Sequence, residues 1–433
     1  MSEKYKLGLT RNRLFALDNA VVFEGVCDSS FDERECVKAM KMLSAKEPII
    51  TGIIELDEDS SAYVVTGKTE PVISFVEEEA SVIKKRYDQK GLDFSKSLFE
   101  FTFCKGNVLI AAAHTAVCDS KSLLRLVKEF VDFYCHKSIS VEPSEIVTFP
   151  DFKSLPAKLN SPIIDKLSAD LEGKWKNKKA EFQTDDWVNA VEKYSSEKSE
   201  IGMIKETVSA DDKNTLLGYC VENNIDLTSL LAYGLYDSVY NSVSAPKKAR
   251  KLSVCSDRRF FLSDMERCTV GAFNGNVDVS LKPKDLKKGA KEKLKAFHTA
   301  LYKGVTSAFR TFYDELLLMK LPPVYCDASY MNRAGCFSSS AAARLANNYG
   351  CNDARIMNIF SCNLSQEYWS QLSFFEKVSV QEPYVRKYYT MADVVIGKDN
   401  ININFRYNKD KITDETASLI VEKAIKTMLD IAE

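Results

Sequence analysis

A predicted hairpin in this chain feeds directly into an amphipathic helix, which fixes the local order strand, strand, helix. Leu98 to Cys104 and Val108 to Ala113 read as β-strands joined by the turn Lys105-Gly106-Asn107. The second strand runs straight on into His114-Thr115-Ala116-Val117-Cys118-Asp119-Ser120. A helix follows from Ser122 to Tyr134, with Leu123, Val127, Phe130 and Tyr134 on one apolar stripe. The polar string therefore lies between the end of a strand and the start of a helix.

The rest of the chain alternates strand and helix signals in the same way. Ala20 to Glu24, Ile49 to Leu56 and Ala62 to Val65 read as strands in the first half. Asp32 to Leu43 and Ser81 to Asp88 read as helices there. Residues 137–160 carry Pro143, Pro150 and Pro156 and little periodicity, as a linker would. Ser161-Pro162 opens a helix to about Phe182. In the second half, Ile204 to Val208, Leu252 to Ser256 and Ile401 to Tyr407 read as strands. Helices are predicted after Ser209, Thr228 and Thr413, and over Lys287 to His298, while Asn274 and Gly275 read as a turn. The boundaries that follow are an N-terminal subdomain over 1–160, a linker helix region over 161–195 and a C-terminal subdomain over 196–433.

Composition excludes several classes. The 433 residues carry 59 Lys+Arg against 61 Asp+Glu, too balanced for a generally basic nucleic-acid binder. No run approaches the length of a membrane span, and Met1 to Asn19 lacks the apolar core of a signal peptide. The 12 Cys are scattered singly with no CxxC, so they read as reduced, buried thiols of a cytoplasmic protein. With only 3 His, a His-rich metal site is not expected.

The segment Leu92-Asp93-Phe94, the strand Leu98-Phe99-Glu100-Phe101 and the string His114 to Ser122 resemble the acyltransferases of the chloramphenicol acetyltransferase-like superfamily. That group includes condensation domains, alcohol acetyltransferases and BAHD-type enzymes. Phe23-Glu24-Gly25, Asp257-Arg258-Arg259, Gly271-Ala272-Phe273-Asn274, Asn363-Leu364-Ser365 and the closing strand and helix extend the resemblance over most of the chain. It implies an α/β fold of two similar subdomains, each a mixed open sheet with flanking helices, forming a V with a channel between. Segments of the second half are expected to reach across to the first.

The resemblance also implies roles. The family's motif reads H-H-x-x-x-D-G-x-S, and its second histidine is the general base. Here Thr115 stands at that position and His114 at the first, so the motif lacks its usual base. His114, Thr115 and Asp119 are the candidate catalytic residues that the resemblance implies. Neighbouring side chains on a strand point to opposite faces, so His114 is expected to point away from the channel unless a bulge re-aims it as a relocated base. Thr115 can donate a hydrogen bond to an oxyanion but cannot act as a base near pH 7. Asp119 is expected to form a structural ion pair with Arg258 or Arg259. Ser120, Ser122, Asn274 and Asn363 are expected along the channel or near substrate, and Cys118 is a conceivable nucleophile read by default as a buried thiol. The run Lys287 to Lys295 reads as a solvated face, or as a dock for an acidic carrier protein or a coenzyme A phosphate.

The implied activity moves an acyl group to an amine, hydroxyl or thiol of a small molecule, in secondary metabolism. Acyl-CoA or a phosphopantetheine thioester is the co-substrate, with no bound cofactor and no metal. An acyl or peptidyl carrier protein is the expected macromolecular partner. The alternative is an inactive homologue that binds a carrier protein or recruits a partner enzyme. Heterocyclisation is a weaker alternative, because its motif begins with Asp where this chain has His114.

Overall fold

The computed structural model describes residues 3–7, 19–56, 62–137, 140–146, 148, 162–176, 189, 192, 200–246, 250–262, 269–313, 357–363, 372, 374–384 and 388–433. In the first half lie strands β1 (Lys4–Leu7), β2 (Ala20–Val26), β3 (Ile53–Leu56), β4 (Ala62–Val65), β5 (Val72–Phe75), β6 (Phe99–Cys104) and β7 (Val108–His114). Its helices are α1 (Glu33–Lys46), α2 (Ala80–Lys90), α3 (Ser120–Tyr134) and α4 (Pro162–Lys176). The second half contributes strands β8 (Ile201–Val208), β9 (Leu252–Asp257), β10 (Asn274–Val279), β11 (Met357–Asn363), β12 (Lys377–Gln381), β13 (Thr390–Ile396) and β14 (Ile401–Asn408). Its helices are α5 (Ala210–Asn223), α6 (Leu227–Ser242), α7 (Ala290–Val305) and α8 (Asp414–Ala432).

The strands form two large mixed sheets and a small antiparallel one of order β1-β4-β3. The five-stranded sheet runs β12-β2-β7-β6-β5, with β5 and β6 parallel. Its edge strand β12 comes from far along the chain and pairs antiparallel with β2, so the second half does reach onto the first. Both faces of this sheet are covered. Leu109, Ala111 and Ala113 pack in a core with Leu123, Val127 and Phe130 of α3, while Ile110 and Ala112 pack with Ile83 and Tyr87 of α2. A central strand enclosed in this way reads as a continuous apolar run, as Val108 to Ala113 does.

The six-stranded sheet runs β10-β9-β11-β13-β14-β8. Leu252, Val254, Ile359, Val394, Ile403 and Phe405 share one face and a core with Leu230 and Tyr233 of α6, Phe297 of α7 and Met428 of α8. By the alternation of strand side chains, Ser253, Asp257, Asn274, Asn358, Asp393 and Arg406 fall on the opposite face. Asn358, Asp393 and Arg406 are nevertheless buried. A sheet with one apolar and one buried polar face is built to carry polar contacts on that second face.

Several boundaries differ from expectation. The segment read as a strand over Ile49 to Leu56 opens instead as a 3-10 turn, Pro48–Thr51, because Pro48 favours a helical start. Asn274 and Gly275 do not form a turn; they begin β10, opposite Asp257 and Ser256. A Cβ on Gly275 would lie 2.6 Å from Arg258 Nε and 2.7 Å from the Thr311 carbonyl, so the glycine serves close packing. The basic helix starts after the N-cap Gly289 and runs on to Val305. The helix opening at Pro162 is described to Lys176, and Phe182 lies outside the described residues, as does about half of the predicted linker helix region.

Candidate active site

The string after β7 is a compact loop held by both halves of the chain. The Asn19 side chain donates to the Leu92 carbonyl at 3.0 Å and accepts from the Leu92 amide at 2.8 Å. The Asn19 backbone carbonyl accepts the Thr115 amide at 2.7 Å, which ties the Leu92-Asp93-Phe94 segment to the loop. His114 ends β7 with its side chain fully buried, on the same face as Ile110 and Ala112. The imidazole packs edge-on to Phe94, and its Nδ1 accepts the Ala116 amide at 3.1 Å. An Nδ1 that accepts an amide proton is unprotonated. His114 is thus folded into the core, and Thr115 beside it is half-buried.

Asp119 organises the start of α3. Its Oδ1 accepts the Ser122 amide at 2.8 Å as an N-cap, and a carboxylate there also complements the helix dipole. Arg259 closes a bidentate pair onto the same carboxylate, Nη1 to Oδ2 at 2.8 Å and Nη2 to Oδ1 at 2.9 Å. The Phe273 amide donates to Oδ2 at 3.0 Å. The carboxylate therefore accepts four hydrogen bonds, two on each oxygen.

Of the two arginines expected as partners, Arg259 makes this pair. Arg258 does not; its Nε donates to the Thr311 carbonyl at 3.2 Å and its guanidinium lies over Phe312. The choice between them follows from the 3-10 turn Arg258–Phe261, which sends consecutive side chains in different directions.

Ser122 is a hinge point in this clasp. Its hydroxyl donates to the Gly271 carbonyl at 2.9 Å and accepts from the Gly271 amide at 3.0 Å and from Arg259 Nη2 at 2.6 Å. Ser122 is buried, and its hydroxyl is engaged by Gly271 and Arg259. Lys121 and Arg259 also hold Asp257, at 2.7 and 3.3 Å. Burial would raise the Asp257 pKa, but these two cations outweigh it and leave the carboxyl below its ordinary range. Burial likewise works against the Arg259 charge, and Asp119 and Asp257 reverse that. Cys118 is fully buried, and burial pushes its thiol well above the ordinary value, which disfavours the thiolate.

Ser120 and Asn274 meet at a residue that sequence reasoning missed. Glu382, directly after β12, accepts from the Ser120 hydroxyl and from Asn274 Nδ2, the latter at 2.8 Å. Its amide donates to Asp393 Oδ1 at 3.1 Å, and its carbonyl accepts from Arg406 Nη2 at 2.5 Å. Burial, then the negative charges of Asp119 and Asp393, raise the Glu382 pKa to about 8. The available signal was the alternation of Val378 and Val380 with Lys377 and Ser379 just before it. Asn363 is the last residue of β11, paired with Ile396; its side chain lies outside the described residues. Lys287, Lys288, Lys291 and Lys295 are exposed around the start of α7.

No group of three His, Cys, Asp or Glu side chains among the described residues is placed to hold a metal, and no described helix is long and apolar enough to cross a membrane. The two mixed sheets, the crossing strand β12 and the loop between β7 and α3 define the chloramphenicol acetyltransferase-like fold. The chain is similar to the epimerization domain from the third module of tyrocidine synthetase B, with a TM-score of 0.62, 12% identity, and coverage of 99% of this chain and 96% of that one. It is also similar to a trichothecene 15-O-acetyltransferase from Fusarium sporotrichioides, with a TM-score of 0.64, 10% identity, and coverage of 99% and 95%. The first condensation domain of the calcium-dependent antibiotic synthetase matches at a TM-score of 0.61, with 9% identity and coverage of 99% and 96%. No family model matches the sequence, and no curated protein matches it.

Proposed function

We propose that this chain transfers an acyl group from a coenzyme A or carrier-protein pantetheine thioester to an amine, hydroxyl or thiol of a small molecule. The observation that carries the reading is the clasp of Asp119, Ser122, Arg259 and Gly271. It fixes the loop bearing Thr115 against the second half of the chain. A loop held this rigidly positions reactants, and positioning supplies up to about 7–11 kcal/mol of a barrier in well-oriented systems. A channel between the halves, with the thioester arm entering on one side and the acceptor on the other, is part of this reading. So are a carrier protein as partner and a cytoplasmic location.

A second reading is favoured by one observation: His114 of the motif loop is buried, and the residue after it is Thr115, where the resemblance implies a catalytic histidine. On this reading the chain keeps the fold to bind a carrier protein without transferring anything. Parallel incubation of the natural protein and Thr115→His with acyl-CoA and acyl-carrier panels, read by mass spectrometry, separates the two. Transfer by the natural protein, reduced by Thr115→His, supports the enzyme. Transfer only by Thr115→His supports the binding protein.

A further inference from the structure

Acyl transfer needs a group that accepts the acceptor's proton. The motif loop does not supply one. Thr115 has no acid–base function near neutral pH, and the His114 imidazole is wrapped in the core. The Cys118 thiol is enclosed, and both oxygens of Asp119 are filled by Ser122, Arg259 and Phe273.

Glu382 stands differently. It is half-buried, and one carboxyl oxygen joins two other pieces of the fold to the end of β12. Ser120 from the start of α3 and Asn274 from the start of β10 both donate to Oε1, while its own backbone is pinned to Asp393 of β13 and Arg406 of β14. Two side-chain donors and two backbone anchors fix the carboxyl beside the loop that carries Thr115.

We propose that Glu382 is the general base of the acyl transfer. The inference rests on the acyltransferase reading given above. The Glu382 carboxylate takes the proton from the acceptor's O–H, N–H or S–H as that atom forms its bond to the thioester carbonyl carbon. The carbonyl π pair moves to oxygen. When the tetrahedral intermediate collapses, the carbon–sulfur bond breaks and the departing thiolate takes the proton back from Glu382. The products are the acylated acceptor and the free thiol, with Glu382 returned to its starting form.

The charged and titratable groups around Glu382 are Asp119 and Cys118 of the loop, Cys255 of β9, Asp393 of β13 and Arg406 of β14. Burial and the two aspartates leave Glu382 titrating at about 8, so its ionised form is a strong base close to working pH.

The test uses Glu382→Gln, Glu382→Asp and Glu382→Ala in the full chain, with the donor and acceptor pair identified for the natural protein. Glu382→Gln is expected to lower kcat/KM by about 10²–10⁴-fold with little change in thioester KM. The rise of kcat/KM with pH toward 8 is expected to vanish in Glu382→Gln, Glu382→Asp to keep partial activity, and added formate to restore Glu382→Ala in part. If Glu382→Gln transfers within about threefold of the natural protein with the same pH profile, acyl transfer stands and the role of Glu382 is overturned. Should Glu382→Gln fail to fold, the natural protein decides alone: no ascending limb near pH 8 overturns the role. Absence of any transfer by the natural protein overturns the acyltransferase reading, and this inference with it.

Discussion

Asp119 and Arg259 lie 140 positions apart in the chain and meet in a bidentate pair at 2.8 and 2.9 Å. One carboxylate thereby caps α3 and joins the two halves of the molecule. A buried pair of this kind contributes little over a well-packed apolar substitute, but breaking it leaves one charge uncompensated. Asp119→Ala is therefore expected to lower stability by about 3–5 kcal/mol, measured by urea denaturation.

The two neighbouring arginines differ in partner, and a double-mutant cycle reads that difference. Asp119 and Arg259 are expected to couple by about 1–3 kcal/mol, as contacting residues do. Asp119 and Arg258 are expected to be additive within about 0.5 kcal/mol. Equal coupling of both arginines to Asp119 would contradict the observed geometry.

Gly275 is placed by contact rather than by backbone conformation. A methyl group there meets Arg258 and the Thr311 carbonyl below 3 Å. Gly275→Ala is expected to cost about 1–3 kcal/mol in a thermal or chemical melt, the usual range for overpacking. An unchanged midpoint would show that the Arg258 side chain yields freely.

Cysteine reactivity follows burial. Cys135 is exposed, whereas Cys118 is enclosed and its thiol is pushed up by burial. Brief iodoacetamide treatment of the native protein at pH 8, followed by peptide mass mapping, is expected to label Cys135 and leave Cys118 unmodified. Prompt labelling of Cys118 would mean that the loop opens far more readily than its hydrogen bonds imply.

Glu382 gives stability a pH dependence of definite sign. Below the ordinary carboxyl value of 4.5 the group is neutral in both folded and unfolded chains. Between that value and about 8 the unfolded chain releases the proton while the folded chain keeps it, so stability falls as pH rises through this window. Relative to Glu382→Gln, the natural protein is expected to lose midpoint from about pH 5 to about pH 8. A parallel pair of curves would place the Glu382 carboxyl at an ordinary value.

Much of this was legible in the sequence where local signals coincide. The hairpin turn is one such place: Gly106 and Asn107 both take positive φ, as such residues readily do. Asp119 is another, because it precedes an apolar stripe and caps its helix. The motif loop followed from its position between those two elements. What the sequence hid depends on distance along the chain. The choice of Arg259 over Arg258 is set by a 3-10 turn and by the backbone of Gly271 and Phe273, none of which a charge pattern reveals. Glu382 lies 262 residues from Ser120 and reaches it only because β12 crosses to pair with β2. Strand β13, all seven residues buried, lacks the apolar–polar alternation that would announce it, and it carries Asp393 into the site.

Acyl transfer by the natural protein tests the account most directly. Purified chain is incubated with a panel of acyl-CoA and acyl-carrier thioesters and a mixture of small amines, alcohols and thiols, with free thiol and acceptor mass followed together. The account predicts at least one acceptor gaining the mass of the acyl group, with one thiol released per product formed. Neither acylated product nor protein-dependent thiol release with any donor, from a preparation that unfolds cooperatively, would contradict it.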